Sequence, residues 1–374
     1  MTNRGFGREI TIELTRRIAL LRTVIAPLLI ACLAYLPAAH SEEQSDDQTA
    51  VHPDAQQSVE QSASASDLAT WRLPPVTYPS SNPYNRAKEE LGRKLFFDPR
   101  ISENPARTCA ACHHPGLGWA DSMQRALGNQ QGLGRHTPSL INAGYSKAFF
   151  WDGRATTLED AVSQDLLSPG MAKDETPDSI VKRIASIAAY RQEFTTAFSS
   201  SGISFERITD ALATFLRGIR SSSTPFDHWL LGDSAAIPES AKRGFALFTG
   251  KADCIACHTP PNFTDSSFHN TGINTVDPGH YEISGKDKDR NAFKTPGLSD
   301  AALTPPYMHN GSKATLAEVI DYYDRGGDTL DGGNELHPLH LNDREKADLL
   351  AFLLSLSGEA PETLIPALPL ALTP

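Results

Sequence analysis

Apolar residues recur along this chain at helical spacing, and strand-like alternation is scarce. Leu316, Val319, Ile320 and Tyr323 fall at i, i+3, i+4 and i+7. They follow Thr315-Leu316-Ala317-Glu318, a capping-box pattern that predicts a helix start and turns Tyr323 inward. Thr157 can cap in the same way, with Leu158, Ala161, Val162 and Asp165 on the matching face. Ile180, Ile184 and Ile187 after Pro177, and Ile208, Leu212, Phe215, Leu216 and Ile219 after Ser204, read as core stripes. The expected fold class is mainly α.

The two capped stripes belong to a longer repeat. Thr137-Pro138-x-Leu140-x-x-Ala143 matches Thr295-Pro296-x-Leu298-x-x-Ala301, and Gly153 with Thr157-Leu158 matches Gly311 with Thr315-Leu316. Each pair is 158 residues apart (295 − 137, 311 − 153). Upstream, Gly92-x-x-Leu95-Phe96 is echoed by Gly244-x-x-Leu247-Phe248. The chain reads as two copies of one module, whose register equates Asp165 with Tyr323. A carboxylate at the buried end of an apolar stripe is costly unless something charged or hydrogen-bonding meets it. The bland reading ends the helix before Asp165 and leaves that side chain in water.

The N-terminus departs from this pattern. Arg16, Arg17 and Arg22 precede an apolar run from Val24 to Ala39, then acidic, Ser/Gln-rich sequence. That is signal-peptide order, and the run is short of the ~20 residues a spanning helix needs. Cleavage is expected near Ala39 or Ser41. An uncleaved anchor is the alternative, and Leu29-Ile30-Ala31-Cys32 also resembles a lipoprotein box. Residues 41–70 carry seven acids and no base and read as a flexible tether. Of the formal charge of −11, −7 falls on residues 71–374. A mildly acidic body argues against nucleic acid and suits a docking partner with a basic patch.

Four of the five cysteines form Cys109-Ala110-Ala111-Cys112-His113 and Cys254-Ile255-Ala256-Cys257-His258. Both are c-type haem attachment strings: two thiols on one turn reach the two haem vinyls, and the next imidazole becomes the proximal iron ligand. For one string the rivals are a zinc half-site or a redox pair. Zinc would need a second Cys or His pair at fixed spacing, which the chain lacks. Two covalently bound haem c groups are expected, ligated by His113 and His258. A ferric iron, or a peroxide on it, would give Asp165 its charged partner.

Around these strings stand Leu95-Phe96-Phe97-Asp98-Pro99-Arg100, His136-Thr137-Pro138-Ser139-Leu140, Phe150-Trp151-Asp152-Gly153-Arg154 and Pro306-Tyr307-Met308-His309-Asn310-Gly311. From residue 84 to about 358 the chain resembles the bacterial di-haem cytochrome c peroxidase and MauG family. The resemblance implies two tandem cytochrome c-like haem domains, here 83–234 and 235–360. They follow a leader over 1–40 and a linker over 41–82, with a tail over 361–374. It implies peroxide chemistry at the first haem and Trp151 as the electron relay. It also implies Tyr323 as distal ligand of the second iron, with Met308 as the competing ligand, and an open first iron, because Asn129 stands where many peroxidases keep a His. A phenolate is a hard anion that favours oxidised iron.

Two departures from the family stand out. Its catalytic glutamate falls at Gly170 or Met171, and its glutamine at Ala161, which leaves Asp165 as the replacement acid and base, with Gln164, Asp174 and Glu175 as weaker candidates. Its calcium site would use His136, Thr304 and the Pro306 carbonyl, and imidazole suits that hard cation poorly. The expected function is an exported, periplasmic oxidoreductase. It uses hydrogen peroxide to oxidise a small redox protein or a partner's side chain. A di-haem electron carrier without peroxidase activity is the alternative.

Overall fold

The stripes become helices in the computed structural model, which describes residues 65–126, 134–172, 174–273, 276–328, 333–359 and 363–370. The leader with Cys32, the acidic stretch up to residue 64 and Asn129 lie outside the described residues. Nine helices carry the architecture among the described residues. Five belong to the first half: α1 (Arg86–Phe97), α2 (Leu158–Leu166), α3 (Pro177–Ala185), α4 (Ala188–Phe198) and α5 (Phe205–Arg217). Four belong to the second: α6 (Pro225–Leu230), α7 (Glu239–Thr249), α8 (Leu316–Asp324) and α9 (Asp343–Ser355). The one sheet described is a two-residue antiparallel pair, β1 (Phe268–His269) with β2 (Phe293–Lys294), in register Phe268↔Lys294.

Local chemistry starts these helices where the sequence places them. Thr157, Ser204 and Thr315 each accept a backbone N–H three residues on, which satisfies one of the orphan donors of a helix start. Glu318 does not close a reciprocal box on Thr315. Its carboxylate accepts from the Ala314 N–H instead, at 2.8 Å. Helix α2 runs through Asp165 to Leu166, so the bland reading of Asp165 fails at its first step.

Each half packs one core. In the first, Leu91, Leu95 and Phe96 of α1 meet Ile208, Leu212 and Phe215 of α5, with Val162, Leu166, Ile180 and Ile184 around them. In the second, Phe245 and Phe248 of α7 meet Leu349, Phe352 and Leu353 of α9, with Leu316 and Ile320 of α8. The crossing of each central pair is set by a glycine. A Cβ on Gly92 would collide with the Ala211 carbonyl, and one on Gly244 with the Asp348 carbonyl. The repeated glycine therefore lets both helix pairs approach to backbone contact.

The stretch expected as linker up to residue 82 is ordered near its end. Trp71 is 5% exposed and packs edge-on to Phe245 and tilted on Phe263 of the second core, at ring centroids 5.4 and 4.8 Å. Its indole buries too much apolar surface for the segment to stay in water. Helix α6 joins the same core through Phe226, although it precedes the expected boundary at residue 235. The C-terminal segment returns to the first half, where Arg100 donates to the Pro369 carbonyl at 2.8 Å.

Candidate functional site: one cavity between two haem strings

Each attachment string is a single tight turn. Thr108 caps Cys109–Cys112, and the His113 N–H returns to the Cys109 carbonyl at 2.8 Å. The second string repeats this closure, His258 N–H to Cys254 carbonyl at 2.9 Å. Both imidazoles are oriented by backbone. Nδ1 of His113 lies 3.1 Å from the Trp119 carbonyl, and Nδ1 of His258 lies 2.9 Å from the Phe263 carbonyl. Those contacts place the proton on Nδ1 and leave Nε2 free to bind a metal, the usual outer-shell arrangement of a ligating histidine. Burial holds both imidazoles below their ordinary pKa, hence neutral, and raises the Cys109 thiol.

Both strings face one cavity of about 1450 Å³ with a mostly apolar wall. Cys109, Cys112 and His113 line one end, and Cys254, Cys257 and His258 line the other. These thiols, the two Nε2 lone pairs and the apolar lining fit a pair of haem c groups.

Asp165 and Tyr323 occupy equivalent places at the ends of α2 and α8, and both line the cavity. Burial raises the Asp165 carboxyl above its ordinary value, opposed by His113 and Arg154, so this carboxyl stands near the first string. Burial also raises the Tyr323 phenol, helped by Cys254 and Cys257 of the second string. Its neighbour Tyr322 points the other way, fully buried, with its hydroxyl donating to the Thr271 carbonyl at 2.8 Å. The weaker acid candidates are occupied or outside. Glu175 is held by Arg183 and Ser179, Gln164 donates to Asp160, and Asp174 is exposed.

Trp151 also lines the cavity, where the two halves meet. Its Nε1 donates to the His136 carbonyl at 2.8 Å, and its own carbonyl accepts the Lys294 N–H at 2.8 Å. Next to it Gly153 takes φ +72°, and a Cβ there would collide with the Phe268 ring. Further links cross the same seam. Arg135 donates through Nε and Nη2 to Asp277 at 2.6 and 2.8 Å, His280 Nδ1 donates to the Asp152 carbonyl at 2.7 Å, and His136 N–H donates to the His309 carbonyl at 2.7 Å.

His136 does not offer a hard cation what calcium needs. Its Nδ1 donates to the Met123 carbonyl at 2.7 Å, burial holds it neutral, and what remains is a nitrogen lone pair.

Sequence reasoning had not picked out Lys294, His309 and Arg154 as cavity residues. Lys294 is pressed down to about 8 by burial, against an opposing pull from Asp265, and its Nζ donates to the Thr295 carbonyl at 3.3 Å. The repeat carried a signal for it, since Lys294 is 158 residues beyond His136 (294 − 136). His309 is 4% exposed, its ring stacks on that of Phe293 with centroids 3.6 Å apart, and its Nε2 has no hydrogen-bond partner among the described residues.

The family model described as di-haem cytochrome c peroxidase matches residues 86–235. A methylamine utilization protein MauG from Methylorubrum extorquens is 42% identical over 318 residues, covering 82% of this chain and 90% of that protein. The chain belongs to the di-haem cytochrome c peroxidase and MauG family. Another relative in this family of oxidoreductases is the cytochrome c551 peroxidase of Nitrosomonas europaea, 33% identical over 77% of this chain and 85% of its own length. Among solved structures, a MauG-like protein associated with microbial copper homeostasis superposes with TM-score 0.69 at 33% identity, covering 77% of this chain and 95% of that one. The tandem cytochrome c-like architecture is thus the family's own. No helix among the described residues is long and apolar enough to cross a membrane.

Proposed function

We propose that this protein is an exported, periplasmic di-haem oxidoreductase that uses hydrogen peroxide at its first haem site to oxidise a small redox protein or a side chain of a protein partner. Cys109 and Cys112 would hold the first haem and Cys254 and Cys257 the second through thioethers, with His113 and His258 as the residues that would bind the irons. The haems supply iron that reacts with peroxide and exchanges electrons. The rest of the mechanism belongs to this chain's side chains. The reading rests chiefly on the paired placement of Asp165 and Tyr323 on equivalent helix ends, each facing its own string.

On this reading Asp165 takes and returns the peroxide proton, in place of the glutamate the chain lacks. Tyr323 would offer the second haem a hard oxygen donor. Trp151 carries electrons across the seam, held in place by its hydrogen bond to the His136 carbonyl. Calcium has no part in this reading, because His136 lacks the oxygen donor. The leader supports export, since haem attachment of this type occurs outside the cytoplasm. The basic face of a redox partner would suit the acidic body.

The test is stopped-flow mixing of the ferric holoprotein with hydrogen peroxide. A positioned general acid or base contributes ~10²–10⁴ in rate, so Asp165→Asn should slow the reaction at least about tenfold with haem content unchanged. An unchanged rate removes Asp165 from the chemistry. Absence of any peroxide reaction in the unmutated protein would leave the electron-carrier reading standing.

A further inference from the structure

Asp165 alone can move a proton, but it cannot hold the anion that proton transfer leaves behind. A second group on the same wall is suited to that task. Arg154 lines the cavity together with Phe150, Asp165 and His113. Its guanidinium carbon sits over the Phe150 ring, 3.6 Å from the centroid, a cation–π contact that restrains it. Its backbone carbonyl accepts from Gln164 at 3.3 Å, tying it to the turn of α2 that carries Asp165.

The charge of Arg154 is only partly spent. Its Nη1 donates to both oxygens of Asp152, at 3.1 and 2.8 Å, and its other guanidinium nitrogens take no hydrogen bond among the described residues. Asp152 is shared, because Arg135 holds the same carboxylate from its buried side. A guanidinium with free donors at the rim of an apolar cavity is a ready receptor for a small anion. Its field reaches Asp165, whose carboxyl it pulls downward.

We propose that Arg154 is the anion-holding residue of the first haem site, receiving the hydroperoxide anion that forms when hydrogen peroxide gives its proton to Asp165. The inference rests on the peroxide reading above. In the step, one O–H bond of hydrogen peroxide breaks and one O–H bond forms on the Asp165 carboxylate. The electron pair stays on the peroxide oxygen, nothing is oxidised or reduced, and the resulting HOO⁻ is paired with the Arg154 guanidinium.

The test uses the ferric holoprotein and two probes followed by the haem spectrum: fluoride, a small anion, and imidazole, neutral at about pH 8.5. Arg154→Gln should weaken fluoride binding at least tenfold, the low end for losing a charge-assisted hydrogen bond, and leave imidazole binding unchanged. Arg154→Lys keeps the charge without the planar fork and should fall between. Equal weakening of both probes would show a merely structural role and overturn the proposal, as would unchanged fluoride affinity. If Arg154→Gln loses haem, Arg154→Lys decides alone by the same contrast. If the unmutated protein takes up neither probe, the open-site reading itself fails. A normal fluoride contrast beside an unchanged Asp165→Asn rate would instead remove only the acid.

Discussion

Equivalent positions in the two halves carry different side chains, Asp165 in one and Tyr323 in the other. Helices α2 and α8 begin with the same Thr-Leu step and end on the cavity, one with a carboxyl and the other with a phenol. That difference was legible in the sequence, because the stripe and the repeat together fix the register of Asp165 and Tyr323. The direction of Tyr322 was not: adjacent tyrosines look alike until the Thr271 carbonyl claims one hydroxyl. The phenol of Tyr323 meets burial and the second string's sulfurs, both of which resist its ionisation, so only a cation can favour the phenolate here. Tyr323→Phe should therefore abolish the tyrosinate signature of the second haem and raise its potential, read by electron paramagnetic resonance and spectroelectrochemistry. An unaltered spectrum would transfer the ligand role to Met308, which also lines the cavity.

Among the elements, the central helix pairs show what pattern reading can and cannot see. The apolar stripes of α1, α5, α7 and α9 were visible as periodicity, yet their closeness depends on Gly92 and Gly244, two residues with no side chain to display. Alanine is favoured over glycine inside a helix by ~1 kcal/mol, so propensity alone predicts that Gly92→Ala and Gly244→Ala stabilise. Contact predicts the reverse. Each new methyl would meet a backbone carbonyl, which cannot swing aside as a side-chain tip can, and forced overpacking costs typically ~1–3 kcal/mol. Both substitutions should lower the denaturant midpoint of the holoprotein, with Ala246→Gly on exposed α7 surface as a propensity control. Stabilisation by either would mean that the helices separate without cost. The boundary near Trp71 escaped notice for a different reason. One tryptophan in polar sequence has no period, and only the aromatic cluster of the second core explains it.

Across the whole molecule, the halves are joined by charge as well as by packing. Arg135 stands between Asp152 and Asp277, residues far apart in sequence, and nothing in a local pattern points to such a partnership. Burial alone would raise the Asp152 carboxyl, but hydrogen bonds and charge from Arg135, with Arg154, outweigh it and hold the group below its ordinary value. A carboxylate lowered in the folded state stabilises that state above its unfolded pKa of about 4 and loses this contribution as pH falls through the lower folded value. Thermal unfolding of the holoprotein should therefore show a loss of stability below about pH 4 that Asp152→Asn reduces. A pH profile identical in the variant would show that the seam does not depend on this charge. At the same seam the two copies of the repeat differ in length. Thr295 follows His258 by 37 residues (295 − 258), whereas Thr137 follows His113 by 24 (137 − 113). The longer segment of the second half contains Phe268, Asp277 and His280, which reach Gly153, Arg135 and Asp152 of the first. The two copies are therefore not interchangeable at the seam, because the thirteen extra residues of the second (37 − 24) have no counterpart in the first.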